Sequence, residues 1–334
     1  VSQLHYRKDT DLPWRRERNG KSFAYVNESG KRVGKNARAR ILGLGIPPAW
    51  RDVVISADPW DYIQAIGTDA RSRRQYIYHP LWIKHNQEHK FDQMIQFGER
   101  LPTLREAISA HMRERTLSRD RVTATVIWLL EHTFIRVGNE EYAKENQSYG
   151  LTTMREKHVD VKGNKTTFSF EGKSGVFHEL DITNPRVAKT IKECLDIPGY
   201  ELFEYVDEGG NVRVVDSADV NSYLKLHTGA DFSAKDFRTW GGSVLAGDSF
   251  YKKGTAENQN DVKKNTMEVV EVVSAHLGNT KSVARKYYIH PIIISSYEKD
   301  ILVPHFARSY GRKSTKKLGL SHEEYATWSL IKDS

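Results

Sequence analysis

The sequence predicts an α+β fold in two parts. A small β-rich N-terminal domain covers residues 1–90, and a larger, mainly α-helical domain with a three-stranded β-hairpin element covers 91–334. Three observations predict this. A chain of 334 residues exceeds the size at which a single hydrophobic core is usual. Short aromatic or β-branched runs bounded by turn residues dominate residues 20–85, and helical periodicity takes over from Phe91. Within the helical part the apolar period becomes alternating between His158 and Ile182, then turns helical again.

In chain order, Phe23–Val26 reads as a strand running into a turn at Asn27–Gly30, and Val53–Ile55 and Tyr76–Tyr78 read as further strands. Between them Lys35–Leu44 has helical spacing, stopped by Gly43, Gly45 and Pro47-Pro48. The polar run Trp82–Lys90 reads as the connection between domains. Asp92–Arg115 is an amphipathic helix, and Arg121–Gly138 an apolar one that delivers Arg136 at its C-terminal end. His158–Val161, Thr166–Phe170 and Val176–Ile182 have strand character, with Lys162-Gly163-Asn164 as a hairpin turn and Lys173 in the glycine-flanked tip before the third. Helices follow at Pro185–Leu195, Ser217–His227, Ala234–Ala246 (carrying Arg238) and Val262–Leu277. A last helical piece, Thr280–Leu302, brings Tyr288 just before His290-Pro291. The basic segment Arg308–Lys317 reads as a mobile surface element.

Composition narrows the partners. Hydrophobic residues at 38% supply packed cores, and no run approaches the roughly 20 apolar residues of a membrane span, so no membrane partner is expected. No signal-peptide pattern stands at the start. Cys194 is the only cysteine, which excludes an intrachain disulfide or a thiolate zinc site and suits a reducing cytoplasm. The net charge of +8 is unevenly spread: residues 1–90 hold 17 Lys and Arg against 9 Asp and Glu, and the other 244 hold 34 of each. A surplus gathered in one quarter of a chain attracts a polyanion, and counterion release favours a nucleic-acid backbone.

Five residues carry the chemistry: Arg136 in TFIRVGNEEY, Lys173 in FEGKSG, Arg238 in AKDFRTWGGS, and Asn279 and Tyr288 in LGNTKSVARKYYIHP. Two guanidiniums, an ammonium, an amide and a phenol make a poor metal site and a good phosphodiester site. A phenol can attack phosphorus and keep the bond energy as a phosphotyrosyl ester. Arginine forks contact two phosphate oxygens and neutralise a pentacovalent transition state. A lysine ammonium, unlike a guanidinium, can release its proton, so Lys173 suits a general acid toward the departing 5′ oxygen. Asn279 offers an amide donor to a non-bridging oxygen. No paired-carboxylate, histidine-rich or cysteine cluster and no phosphate-binding loop accompanies them, so neither a metal nor a nucleotide cofactor is expected. Taken singly, each residue has a bland reading: a helix-end arginine opposite the dipole, a surface hairpin lysine, a packing tyrosine.

In order and context the five resemble the active site of the type IB DNA topoisomerases, in their small poxvirus-like bacterial branch. The resemblance extends over nearly the whole chain, through LGIPPAW (Leu44–Trp50) and RRQYIYHPLW (Arg73–Trp82), where Gln75, Tyr76 and Tyr78 match a Q-Y-x-Y strand that enters the DNA major groove. It implies a C-shaped clamp of two domains around duplex DNA, an N-terminal DNA-binding domain and a C-terminal catalytic one. By position it makes Tyr288 the nucleophile that forms a 3′-phosphotyrosyl link, Arg136 and Arg238 the binders of the scissile phosphate, and Lys173 the general acid. Strand rotation and religation then relax supercoils without ATP or metal. Asn279 stands where poxvirus members carry histidine, which leaves a donor that cannot be cationic. A monomer in the cytoplasm, at the bacterial nucleoid, is the implied setting. Two alternatives remain at this point. Tyrosine recombinases share the catalytic core but usually carry His-x-x-Arg where this chain has Lys235 three residues before Arg238; a non-catalytic basic DNA-binding protein would leave the five residues dispersed.

Overall fold

The computed structural model describes residues 3–8, 11–20, 22–70, 72–140, 143–144, 147–310 and 319–334, with the backbone alone at 87–89 and 174. The chain divides into two compact units, Val1–Phe91 and Asp92–Ser334. The first holds an antiparallel sheet in the order β2-β1-β3-β4-β5. Its strands are β1 (Trp14–Asn19), β2 (Ser22–Val26), β3 (Arg51–Ile55), β4 (Ile63–Thr68) and β5 (Arg74–Tyr78), with helix α1 (Lys35–Gly43) between β2 and β3.

Two of these strands escape the sequence reading. β1, WRRERN, looks like a charged loop, yet Arg16 lies over the Phe23 ring at 4.2 Å and donates to the backbone oxygens of Pro47 (3.0 Å) and Trp50 (2.5 Å). A guanidinium used as an internal strut hides a half-buried strand behind polar letters. β4 is buried on both faces from Ile63 to Gly67, so the alternation that marks a half-exposed strand is missing. Tyr25, Ile41, Val53, Ile55 and Ala65 form the larger core cluster, with Ile77 packed against it. Tyr76 and Tyr78 pack instead against Leu12, Ile63 and Ile66, as strand alternation requires.

Helix α2 is continuous over Pro80–His111. The polar run Trp82–Lys90 is therefore not a linker, and the helix expected from Asp92 begins earlier, with Pro80 at its first position, where a missing N–H costs nothing. Polar letters there record exposure rather than absent structure. Helix α3 (Arg119–Thr133) follows, capped by the Ser118 side chain and buried at nearly every position from Arg121 to Leu130. It stops at Phe134, which takes a left-handed conformation (φ 54°), so Arg136 lies beyond the helix rather than at its end.

Strands β6 (Val159–Lys162), β7 (Lys165–Glu171) and β8 (Phe177–Thr183) form the three-stranded antiparallel sheet, with a short turn at Lys173–Gly175. Helix α4 (Pro185–Leu195) packs on β7. A small hairpin, β9 (Glu204–Val206) with β10 (Val212–Val214), precedes α5 (Ser217–Thr228). Helix α6 (Ala234–Lys253) runs about two turns past the expected end and packs against α3 and α7 (Gln259–Leu277).

The final expected piece holds two helices, α8 (Lys281–Tyr287) and α9 (Pro291–Glu298), and ends where a third, α10 (Leu302–Tyr310), begins. His290-Pro291 makes the first break, the imidazole accepting from Ile292 N, and a left-handed Asp300 (φ 58°) makes the second. Helix α11 (His322–Lys332) closes the unit. Of the basic segment Arg308–Lys317, residues 311–317 lie outside the described residues; Arg308 to Tyr310 end α10. Among the described residues no helix is long and apolar enough to cross a membrane.

Candidate active site

Four of the five residues meet where three helices end. Arg238, on α6, is 4% exposed, and its Nη1 and Nη2 donate to the carbonyls of Phe134 and Leu277, the latter at 2.7 Å. Those carbonyls stand at the C-terminal ends of α3 and α7, where helix oxygens lack partners and the dipole favours a cation. One guanidinium thus closes two helices. Its Nε, also buried, has no hydrogen-bond partner among the described residues.

Arg136 sits two residues past Phe134 in a loop held by backbone bonds from Leu151 N to Arg136 O (2.9 Å) and from Thr152 N to Val137 O (2.6 Å). Its Nη2 donates to Asn279 Oδ1 at 2.6 Å and to Gly278 O at 3.3 Å. With Oδ1 engaged, the Asn279 amide presents Nδ2, which is buried and has no acceptor among the described residues. Burial, and then the nearby Arg238, draw the Arg136 guanidinium down to about 10, with Tyr288 opposing; it stays cationic at neutral pH. Burial lowers Arg238 too, offset by the charge and hydrogen bonding of Tyr288.

Tyr288 ends α8, and its ring lies under the Arg238 guanidinium at 5.1 Å. The backbone at this point is fixed by Ser243, fully buried on α6, which donates to Tyr288 O (3.2 Å) and accepts from His290 N (2.9 Å). The Gly241-Gly242 pair of the DFRTWGGS motif explains the closeness. A Cβ on Gly241 would fall 2.0 Å from the Phe134 ring, and one on Gly242 2.8 Å from Tyr288 O. By contrast, Tyr287 has the Lys286 ammonium over its ring at 5.3 Å.

Lys173 is the residue not brought into this network. It is exposed on the β7–β8 turn, and among the described residues no hydrogen bond or ion pair ties it to the other four. Sequence reasoning missed Ser243 and His178. His178, on β8, stacks on Phe170 at 5.1 Å, and burial, then Arg136 and Arg238, lower its pKa. A histidine in an alternating strand looked like an outward polar residue. A cavity of about 310 Å³ is lined by Arg136, Arg238, His178, His276 and Phe170. A larger one of about 420 Å³ is lined by Glu131, Asp248, Glu323 and Glu324, with Arg105 tied to Glu131 and Glu324, and it suits no polyanion.

In the first unit, Tyr76 and Tyr78 stack at 5.9 Å, with Arg74 over Tyr76 at 5.6 Å. The row continues through Tyr62 (6.3 Å from Tyr78) to Tyr6 (4.7 Å from Tyr62), neither of which sequence reasoning identified. Gln75 is held by Asp69 at 3.1 Å. His5, Asp58 and Asp61 come together with metal-like spacing, but Arg7 is paired with Asp61 and His5 with Asp58.

Comparison with known proteins shows the family. The family described as eukaryotic DNA topoisomerase I, catalytic core, matches residues 80–304, which contain all five site residues. The family described as bacterial DNA topoisomerase IB, N-terminal domain, matches residues 22–69, stopping short of Gln75. DNA topoisomerase 1B of Acanthamoeba polyphaga mimivirus is 32% identical over 293 residues, 85% of this chain and 87% of that protein. DNA topoisomerase I of Monkeypox virus is 21% identical over 255 residues, 75% of this chain and 78% of that one. DNA topoisomerase 1B of Vaccinia virus (strain Copenhagen) is 24% identical over 163 residues, 47% and 52% of the two chains. The catalytic-core family covers well over half of this chain, and the mimivirus relative matches 85% of it at 32% identity, so the chain belongs to the type IB DNA topoisomerases.

Proposed function

We propose that Tyr288 is the nucleophile with which this topoisomerase opens one strand of duplex DNA. Its phenolic oxygen attacks the scissile phosphorus, the bond from phosphorus to the 5′ oxygen breaks, and a 3′-phosphotyrosyl ester forms. The phenol proton leaves to solvent, and Lys173 protonates the departing 5′ oxygen. Arg136, Arg238 and Asn279 hold the non-bridging oxygens and take up the extra negative charge of the transition state. Rotation of the free end about the intact strand relaxes supercoils, and the 5′ hydroxyl reverses the exchange. Neither ATP nor a metal has a step to perform: ester exchange conserves bond energy, and fixed cations meet the charge.

One observation carries this reading. Among the described residues Arg238 Nε and Asn279 Nδ2 are buried donors that find no acceptor, beside the Arg136 guanidinium and the Tyr288 ring. Buried donors nearly always have partners, so two orphans in one cationic cluster are best explained by a ligand with anionic oxygens. All five residues lie on one chain, which supports a monomer as the working form. The basic surplus of residues 1–90 and the tyrosine row with Gln75 support the first unit as a DNA-contacting domain, with Tyr and Gln reaching groove edges or phosphate. The bacterial type of that unit favours chromosomal DNA in the cytoplasm as the substrate.

The test is incubation with a negatively supercoiled plasmid in excess EDTA without ATP, alongside Tyr288→Phe. Relaxation and a denaturation-resistant protein–DNA adduct are expected from the native enzyme, and neither from the variant, which should still bind DNA. An adduct trapped with Tyr288→Phe would move the nucleophile elsewhere, Tyr287 first.

A further inference from the structure

We propose that His178 is a positioning residue for the general acid: its imidazole is a wedge that sets the Lys173 turn against the Gly278–Asn279 turn. The inference rests on the reading of Lys173 as proton donor to the 5′ oxygen.

The ring touches both segments through bare backbone. A Cβ on Gly172, next to Lys173, would lie 2.8 Å from its Cδ2 and Nε2. A Cβ on Gly278, next to Asn279, would lie 2.6 Å from its Cε1. Contacts this close leave no room for a side chain on either segment, and the third support is the Phe170 ring, stacked at 5.1 Å. The turn has little else to hold it. Its backbone bonds are internal, Gly172 N to Val176 O (2.8 Å) and Gly175 N to Gly172 O (3.1 Å). Val176 and Phe177 beyond it are 43% and 62% exposed. The nearest tether is Tyr149 N to Glu171 O at 2.8 Å. Burial and the two neighbouring guanidiniums keep the imidazole neutral, so the wedge adds no repulsion to the phosphate-binding cations. A lysine on an exposed turn can deliver its proton on schedule only if the turn is held to within about an ångström, since a misplacement of that size costs on the order of 100-fold.

Leaving-group chemistry tests this. In single-turnover cleavage the P–O5′ bond breaks and the oxygen takes a proton; with sulfur in place of that oxygen, the thiolate departs without one. On the oxygen substrate His178→Ala should cleave about 100-fold more slowly than the native enzyme, and on the sulfur substrate most of that deficit should vanish, as for Lys173→Ala. The double variant should be no more than about threefold slower than Lys173→Ala on oxygen, because both changes remove one function. His178→Phe, which keeps a flat ring, should stay within about tenfold of native. If His178→Ala does not fold, Gly172→Ala, whose methyl displaces the ring, is read in the same assay and should be rescued by sulfur. A defect of His178→Ala or Gly172→Ala that persists on sulfur, while that of Lys173→Ala is rescued, overturns the wedge and leaves the general acid standing. A Lys173→Ala defect that sulfur leaves in place overturns the general acid itself.

Discussion

At Arg238 one guanidinium both closes the ends of α3 and α7 and faces the Tyr288 ring, so its removal has two separable effects. Arg238→Ala leaves two buried carbonyls unpaired, each costing roughly 1–3 kcal/mol. Urea denaturation should show a loss of that order with an unchanged m value, together with a cleavage defect of at least about 100-fold. Full native stability in that variant would refute the strut. Asn279 allows a cleaner experiment. Asn279→Asp keeps the oxygen that accepts from Arg136 but replaces the orphan Nδ2 donor with a second acceptor facing the phosphate. Stability should change little and cleavage should fall on the order of 100-fold; unimpaired cleavage would mean Nδ2 touches no phosphate oxygen. Arg136, Arg238, Asn279 and Tyr288, singled out in the sequence by side-chain chemistry and by their motifs, meet in one cluster, while Lys173 stands apart from it. Ser243 and His178 were not legible, since each touches backbone remote in sequence, at Tyr288 and Gly278 respectively, and their local contexts resemble an ordinary helix and an ordinary strand.

At the scale of elements, sequence patterns were readable where a segment has one wet face and one dry face. The β6–β8 strands, α4, α5 and α7 are of this kind, whereas α6 is buried without a break from Phe237 to Ser243. Reading failed where burial is complete, as at β4, or where a charged residue turns inward, as at Arg16 of β1. The end of α3 also needed tertiary knowledge, because Phe134 adopts its left-handed turn with its ring against Gly241 and its carbonyl taken by Arg238. The tyrosine row is a property of the β5 edge rather than of one residue. Tyr62→Ala should remove stacking with Tyr6, Tyr78 and the edge contact with Trp82 (5.0 Å). A loss of about 2–4 kcal/mol in the denaturation of the first unit is expected, and a loss below 0.5 would show the row to be ornamental to that unit.

For the whole molecule, two bulk behaviours follow from charge. The surplus of residues 1–90 makes DNA affinity depend steeply on salt: the logarithm of the binding constant should fall linearly with that of salt concentration, and a flat plot would remove backbone phosphates from the account. Acid behaviour follows from buried histidines. His158 is held near 4 by burial, with Lys157 and Arg155 adding, and His290 near 4 by burial, with Asp92 opposing. An unfolded histidine titrates near 6.5, so between these values the unfolded chain binds more protons than the native one. The stabilisation is complete above about pH 6.5 and drains as pH falls toward 4, by a few kcal/mol per residue. The urea midpoint should therefore drop between pH 7 and pH 4.5, with part of the drop abolished in His290→Gln. A midpoint indifferent to pH over that interval would contradict it.

The Gly242 contact has a reach beyond packing. Because α6 meets the backbone of Tyr288 through a missing side chain, the seat of that residue is set by a clearance as well as by the Ser243 bonds to Tyr288 O and His290 N. One added methyl would have to push the whole tail end of α8 outward, and the angle of approach to phosphorus would drift with it. Under the role proposed for Tyr288, the reaction is thus sensitive to a position with no functional group at all.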